Sequence, residues 1–231
     1  MNKITIAIDG FSSTGKSTVA KQLAKHLGYV YVDSGAMYRA ITFYAMQHGF
    51  INKDDFNKEV LIYHLPKIKI NFKFNEALGF AEVYLNDKNI EKQIRTLEVS
   101  SFVSKVAAVS EVRSKLVEKQ KQMGENKGVV MDGRDIGTVV FPDAELKLFM
   151  TASAETRAER RYQELIKRGD KVTYEAVLKN VQERDYIDSN RKDSPLTKAE
   201  DAIEINNSNM SLEAQFNKIV QLAKMTIEDT E

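Results

Sequence analysis

The chain lacks cysteine altogether and has almost no net charge. Without cysteine there are no disulfides and no thiol catalysis. This composition fits a reducing compartment, so we expect a cytoplasmic protein. The 34 basic and 33 acidic residues leave a formal net charge of +1. Because this balance produces no strong field over the whole molecule, it argues against DNA, RNA or an acidic membrane as a partner.

Metal-binding clusters and membrane segments are also missing from the sequence. The three histidines, His26, His48 and His64, are scattered without the spacing of metal ligands. No apolar run approaches the roughly 18 residues that span a bilayer. The N-terminus leads straight into a predicted strand, so we expect no signal peptide.

A glycine-rich loop near the N-terminus carries the strongest motif. Residues 10–17 follow the spacing G-x-x-x-x-G-K-[ST], after an apolar run at 4–8 and before an amphipathic stretch at 19–27. Strand, loop and helix in this order form a cradle of backbone N–H groups for phosphates; the alternative is a plain glycine turn. Lys16 can reach the outer phosphates, and Ser17 can bind Mg²⁺. The candidate residues for a nucleoside triphosphate are Gly10, Phe11, Ser12, Ser13, Thr14, Gly15, Lys16, Ser17 and Thr18.

Alternating strands and helices predict an α/β fold with a parallel sheet covered by helices, typical of P-loop proteins. The predicted strands cover residues 4–9, 29–32, 128–132, 146–150 and 202–205. The predicted helices cover residues 36–47, 98–123, 154–167, 174–189 and 210–226, besides the helix after the glycine loop. Residues 67–74 and 81–85 alternate polar and apolar, which predicts a β-hairpin. A hairpin is foreign to such a core, so residues 50–95 indicate an inserted subdomain; the alternative is an edge extension without function.

Two loops that follow predicted strands carry charged side chains. Asp132 lies directly after an apolar strand, as does the carboxylate that organises Mg²⁺ in P-loop proteins. The alternative for Asp132 is a capped turn. Arg134 and Asp135 follow within three residues, at the sheet edge where ligands of α/β proteins bind. In the other loop, Ser34 and the free N–H groups of a helix start suit a phosphate, and Arg39 faces the same way. The alternative there is an ordinary helix start.

The last third of the chain carries arginines at helical spacing. Arg157, Arg161 and Arg168 share one predicted helix face, and Arg184, Asp188 and Arg191 share another. Interleaved glutamates allow a simpler interpretation, surface salt bridges. Beside a triphosphate cradle, however, arginine forks are what phosphoryl transfer requires. The run Arg168-Gly169 indicates a hinge and therefore a lid.

Taken together, these motifs resemble those of bacterial cytidylate kinases over essentially the whole chain. The most specific match is the run from Asp132-Gly133-Arg134-Asp135 to Pro142; the others are the glycine loop, residues 33–39, Ile94-Arg95 and residues 183–191. The resemblance implies a monomer, with a monophosphate-binding subdomain at about 36–97 and a lid at about 153–172. The chain differs at Phe11, where the family often has proline, and at Ser13, where it often has glycine.

The resemblance also implies a reaction, transfer of the γ-phosphoryl group of Mg-ATP to CMP or dCMP. It implies that Ser104, Arg113 and Asp135 read the cytosine, that Arg184 and Asp188 hold the sugar, and that Ser34, Arg39, Arg134 and Arg191 hold the phosphate. We expect Asp132 to belong to the same CMP site. The catalytic residues would be Lys16, Arg134, Arg157, Arg161 and Arg191, of which Arg157 and Arg161 belong to the lid. Ser17 would bind Mg²⁺, with Asp33 or Asp132 acting through water.

Hydrogen-bond chemistry supports cytosine independently. A carboxylate accepts from the exocyclic amino group of cytosine, and an arginine donates to its ring acceptors. Uracil exchanges donor and acceptor at two of these positions, and each buried mismatch costs about 1–3 kcal/mol, so discrimination of order 10²-fold follows. Two alternatives remain. One is a P-loop kinase for another nucleotide, shikimate or dephospho-coenzyme A; the other is a nucleotide switch, which the missing Asn-Lys-x-Asp sequence disfavours. The order of CMP and dCMP is left open.

Overall fold

The computed structural model describes residues 2–77 and 79–230. Its strands in chain order are β1 (Thr5–Gly10), β2 (Val30–Asp33), β3 (Ile70–Asn75), β4 (Phe80–Leu85), β5 (Lys88–Asn89), β6 (Val129–Asp132), β7 (Leu146–Thr151) and β8 (Ile203–Asn206). Its helices are α1 (Lys16–Leu27), α2 (Ser34–Gln47), α3 (Lys58–His64), α4 (Leu97–Ala107), α5 (Ser110–Gly124), α6 (Ala154–Lys167), α7 (Tyr174–Asn190) and α8 (Leu212–Asp229). None of these helices is long and apolar enough to cross a membrane, within the described part of the chain.

A parallel sheet of five strands forms the centre, in the order β2–β6–β1–β7–β8. Every residue of β1 is buried, as expected for a strand with helices on both faces. One apolar core packs α1 and α8 against the sheet, and residues such as Met131 and Ile136 fill the other face. The carboxyl ends of the strands meet at one edge, where Asp33 pairs in register with Asp132. The predicted parallel α/β architecture is confirmed.

The predicted hairpin is confirmed as well, with Ile70 opposite Leu85 and Asn75 opposite Phe80. The two-residue strand β5 extends it to three strands and was not predicted. Helix α3 was also not predicted. A second apolar core joins this sheet to α2, α4 and α5 through side chains such as Ile41, Ile94 and Leu116.

The predicted helical stretch over residues 98–123 is divided into two helices, because the chain breaks between α4 and α5. Val109 adopts an extended backbone (φ −78°, ψ 118°) and is buried. Neither glycine nor proline marks this break, so no local signal announced it. Helix α4 packs on α2 and α7, whereas α5 packs beside the turn that follows β6. Tertiary packing therefore redirects the chain here.

Candidate functional site

The glycine-rich loop joins β1 to α1 and lies over the strand edge. A Cβ atom on Gly10 would lie 2.0 Å from the Met150 carbonyl oxygen, so only glycine fits beside β7. Gly15 adopts φ 89° immediately before α1, a conformation that glycine reaches at little cost. The Lys16 ammonium is buried and donates to the Phe11 carbonyl at 2.5 Å. Burial, and then the nearby Arg134, lowers the pKa of Lys16. The loop thus encloses a buried ammonium group that, within residues 2–77 and 79–230, makes no direct ion pair, although Asp132 and Asp9 lie near enough to act on its charge.

The two departures from the family pattern have local explanations. The Phe11 ring makes an edge contact with Phe149 at 6.2 Å between centroids, and the Arg157 guanidinium lies 5.2 Å from its centre. Phe11 therefore packs the outside of the loop rather than its phosphate side. Ser13 has φ 60°, a backbone conformation that favours glycine.

Two carboxylates lie at the ends of adjacent strands beside the loop. The Ser17 hydroxyl donates to Asp132 Oδ2 at 2.8 Å, and the Tyr31 hydroxyl donates to Asp132 Oδ1 at 2.8 Å. Asp33 caps α2 by accepting from the Ala36 N–H, and it binds the Arg95 guanidinium at 2.8 Å. Burial opposes ionisation of Asp33, but Arg95 and Arg39 outweigh it and lower its pKa. Burial and the neighbouring Asp33 raise the pKa of Asp132, the response of a carboxylate without its own cation.

This arrangement fits a hard divalent cation such as Mg²⁺. Ser17 offers a hydroxyl next to Asp132, and the adjacent carboxylates supply negative charge. In residues 2–77 and 79–230, no three His, Cys, Asp or Glu side chains gather into a metal site of their own. An ion held here would take its other ligands from water and phosphate, as Mg²⁺ commonly does. Because Asp33 is engaged by Arg95, Asp132 is the better placed of the two candidates.

A narrow cavity of about 100 Å³ opens beside the loop and gathers most of the predicted acceptor residues. The predicted acceptor residues that line it are Ser34, Arg39, Ser104, Asp132, Arg134, Asp135, Arg184, Asp188 and Arg191, and Lys16 of the predicted donor site lines it too. A neighbouring cleft of about 670 Å³ is lined by Arg161 and Arg168 and by Ser13, Gly15, Lys16, Ser17 and Thr18 of the glycine loop and the start of α1. Lys16, Ser17 and Arg39 line both spaces, so the two meet at the glycine loop.

Ion pairs hold the cavity wall in place. Arg134 Nε donates to Asp188 Oδ2 at 2.9 Å, which links the loop after β6 to α7. Asp135 binds Arg113 and faces Arg191 Nη2 at 3.6 Å. Arg113 itself is 1% exposed, lies behind Asp135 and is not among the residues that line the cavity. Arg191 lies just beyond the end of α7, so the prediction that it belongs to one helix face with Arg184 and Asp188 is wrong.

Polar atoms without partners mark the same cavity. Among the described residues, seven have a buried side-chain nitrogen or oxygen with no hydrogen bond, and five of these residues line the cavity. The five are Ser12, Tyr38, Ser104, Arg184 and Arg191. An unpaired buried polar group costs about 1–3 kcal/mol, so this concentration at one place indicates a polar ligand.

The cavity also has more positive charge than its carboxylates neutralise. Burial, and then the neighbouring Arg134, lowers the pKa of Arg184 to about 10. Burial, and then Arg95, likewise lowers the pKa of Arg39. Burial is the larger cause of both pKa shifts, and repulsion between neighbouring guanidinium groups adds to it; an anion bound near the glycine loop would relieve that repulsion.

Helix α6 places its arginines in different surroundings. Arg157 is buried behind the loop, where it binds the Asp185 carboxylate at 2.6 Å and donates to the Ser12 carbonyl at 3.3 Å. It does not line the cavity. Arg161 and Arg168 both donate to the Arg95 carbonyl, at 2.7 and 3.0 Å. The predicted lid is thus tied to the segment that precedes α4.

Three residues that the sequence-based prediction missed support the site. The Asp9 carboxylate accepts from the Ile136 and Gly137 N–H groups at 2.8 and 2.7 Å, which anchors the loop of Arg134. Arg95 holds Asp33. Asn207 Nδ2 donates to the Thr14 carbonyl at 2.6 Å. Asp9 and Asn207 lie at the carboxyl ends of β1 and β8, and that position was a usable signal.

Comparison with known proteins gives a consistent result. The family model for cytidylate kinase matches residues 6–225. The cytidylate kinase of Flavobacterium johnsoniae is 71% identical over 96% of this chain and 96% of its own length. That of Flavobacterium psychrophilum is 69% identical over 96% and 98%, and that of Bacteroides thetaiotaomicron is 52% identical over 96% and 100%.

The similarity to solved structures is much weaker in sequence than the similarity to these relatives. The crystal structure of an uncharacterized protein from Eubacterium ventriosum has a TM-score of 0.50 at 12% identity, covering 97% of this chain and 99% of that chain. At this identity the likeness concerns the fold alone. The family match and the close relatives extend along almost all of the sequence that builds the glycine loop and the arginine-lined cavity, and the chain belongs to the cytidylate kinase family.

Proposed function

We propose that the protein transfers the γ-phosphoryl group of ATP to CMP or dCMP, giving ADP and CDP or dCDP. The observation that carries this proposal is the arginine-lined cavity, with buried polar atoms that lack hydrogen-bond partners, which adjoins the cleft at the glycine loop. A loop built for phosphates and a second cationic space next to it match a reaction between two phosphorylated substrates.

On the donor side, the backbone N–H groups of residues 10–18 would hold the phosphates of ATP. Lys16 would reach the outer phosphates by leaving the Phe11 carbonyl, because a phosphate oxygen is a stronger acceptor for an ammonium group. Ser17 and Asp132 would hold Mg²⁺, with Asp33 in support. The ion would neutralise phosphate charge and orient the γ-phosphoryl group.

On the acceptor side, Ser34, Arg39, Arg134 and Arg191 would bind the CMP phosphate. Arg184 and Asp188 would hold the sugar. Ser104 and Asp135 would read the cytosine, and Arg113 would act on the base through Asp135, which it binds directly. The orphaned Ser104 hydroxyl supports its role, since it lines the cavity without a protein partner.

The proposed chemistry needs no general base. The attacking oxygen belongs to a phosphate that is already ionised at neutral pH, so catalysis would come from positioning and charge stabilisation. Lys16, Arg134 and Arg191 border the space where the two substrates would meet, and Arg161 borders the adjoining cleft. Arg157 would act from behind the loop through Ser12 and Asp185. Closure of residues 153–172 as a lid would exclude water.

A coupled assay of ADP release across nucleoside monophosphates tests this proposal. We expect turnover with CMP and dCMP, and much weaker turnover with UMP, AMP and GMP. Lys16→Ala should abolish turnover, whereas Lys25→Ala, an exposed lysine on the same helix, should not. Asp135→Asn should narrow the gap between CMP and UMP, because an amide can also donate to a carbonyl.

Wild-type kcat in Lys16→Ala would contradict the assignment of the donor site. Turnover of shikimate or dephospho-coenzyme A in place of CMP would favour another P-loop kinase activity. A monomeric state and a cytoplasmic location stay predictions.

A further inference from the structure

Helices α4 and α7 face each other behind the cavity with polar side chains at matching positions. Ser100 and Ser104 lie four residues apart on α4, and Asn180 and Arg184 lie four residues apart on α7. Residues at this spacing share a helix face. Ser104 and Arg184 line the cavity, whereas Ser100 and Asn180 do not. The facing helices thus carry a polar layer at the cavity and a second polar layer behind it.

The rear layer is a chain of directed hydrogen bonds. Arg184 Nη1 donates to Ser100 Oγ at 3.1 Å. Ser100 Oγ donates to Asn180 Oδ1 at 3.1 Å. Asn180 Nδ2 in turn donates to Ser101 Oγ at 3.3 Å. Ser100 is 2% exposed and Asn180 is 7% exposed, so solvent does not compete strongly for the first two bonds, whereas Ser101 at the end of the chain is exposed.

Every partner in this chain is neutral, which sets Arg184 apart from its neighbours. Arg134 binds Asp188, and Arg157 binds Asp185. Within the described part of the chain, Arg184 makes no ion pair, and the bond to Ser100 is its single hydrogen bond. Its Nε is buried without a partner. The guanidinium is therefore held at one corner while its charge and remaining donors stay available.

The two layers differ in how far their hydrogen bonds are satisfied. Ser100 both donates and accepts, and both polar atoms of the Asn180 amide are engaged. One turn away, Ser104 Oγ and Arg184 Nε have no partners. A satisfied layer behind an unsatisfied one is the arrangement expected when the first supports groups that await a ligand.

We propose that Ser100 and Asn180 are positioning residues that orient Arg184 toward the pentose of the acceptor nucleotide without neutralising its charge. This inference rests on the proposed function, in which Arg184 binds the sugar of CMP. A neutral partner fixes the direction of the guanidinium, whereas a carboxylate at the same place would compete with the substrate for it.

Two variants test the inference, one by removing the acceptor of Arg184 and the other by adding a negative charge near it. Ser100→Ala removes the acceptor of Arg184 Nη1, and alanine favours the helix. We expect its KM for CMP to rise about tenfold, with kcat and the KM for ATP within about twofold, since a hydrogen bond to a charged group is lost from substrate positioning. Asn180→Asp is nearly isosteric and places a negative charge two hydrogen bonds away from the Arg184 guanidinium, with Ser100 between them. We expect its KM for CMP to rise while its melting temperature stays equal or increases.

The test measures kcat and the KM values for CMP and ATP by steady-state kinetics of the full chain, and the melting temperature by thermal unfolding. Ser114→Ala, an exposed serine on α5, is the matched control and should leave both KM values unchanged. The inference is overturned if the KM for CMP stays within twofold of wild type in both variants, or if it rises only in proportion to a lowered melting temperature. Wild-type protein without activity toward CMP would instead refute the proposed function, and the inference would fall with it.

Discussion

The most informative single perturbation is Asp9→Asn, because Asp9 joins the two halves of the site. The carboxylate lies at the end of β1, is 4% exposed and accepts two backbone N–H groups from the turn after β6. Burial raises the pKa of Asp9 from 3.8 to about 7, against the opposing effect of those two hydrogen bonds. Asp135 repels the charge, and Lys16 attracts it.

The sign of the pH effect follows from that raised pKa. Between about pH 4 and pH 7 the folded protein keeps a proton on Asp9 that the unfolded chain has released. The contribution of Asp9 to the free energy of unfolding is therefore fully present below about pH 4 and is lost as the pH rises through 7. The difference between the pKa of 3.8 in the unfolded chain and about 7 in the fold corresponds to about 4 kcal/mol of unfolding free energy.

Urea unfolding of both proteins between pH 4.5 and 8 measures this contribution. Asparagine does not titrate, so we expect the stability of Asp9→Asn relative to wild type to rise by about 2–4 kcal/mol between pH 4.5 and 8. A loss of about 1–3 kcal/mol that does not depend on pH is expected besides, because the amide nitrogen of asparagine cannot accept one of the two backbone N–H groups. The exposed Asp54→Asn is the control and should show a flat difference. Parallel curves for wild type and Asp9→Asn would refute the reasoning. We also expect a higher KM for CMP in Asp9→Asn, because the loop of Arg134 loses an acceptor.

Two further perturbations test other links to the glycine loop. Arg95→Ala leaves the Asp33 carboxylate without its ion pair and should lower the free energy of unfolding by about 1–3 kcal/mol at pH 7. Because the pKa of Asp33 is lowered in the fold, this loss should shrink below about pH 4, as urea unfolding will show. Asn207→Ala removes the side-chain donor of the Thr14 carbonyl and one of two hydrogen bonds of Arg160, and it should raise the KM for ATP about tenfold, with the KM for CMP unchanged. Steady-state kinetics check this, and an equal rise in exposed Asn209→Ala would contradict it.

Much of the fold and the glycine loop could be predicted from patterns of neighbouring residues in the sequence. The glycine spacing, the apolar run before it and the helix after it are adjacent in sequence, so their geometry follows from backbone rules. The hairpin at 70–85 and the parallel strands followed from side-chain periodicity in the same way. The break at Val109 did not, because packing against other helices produces it rather than a residue that disfavours helix.

Long-range partners could not be predicted from the sequence in this way. Arg113 and Asp135 are both recognisable as candidates in the sequence. That Arg113 lies behind Asp135 depends on how α5 packs. Asp9 binds a turn 127 residues away, and Asn207 reaches a loop 193 residues away. Partners separated by so many residues cannot be recognised from the spacing of residues along the chain.

By itself the amino-acid sequence determined the order of strands and helices, the phosphate cradle and the chemical types of residue around it, since each depends on neighbours along the chain. The tertiary structure decided which arginines are neutralised and which stay unpaired. Arg134 and Arg157 bind carboxylates, whereas the one hydrogen-bond partner of Arg184 among the described residues is a serine. Charge depends on residue type, but neutralisation depends on distance between segments, and packing of the helices on the sheet sets that distance.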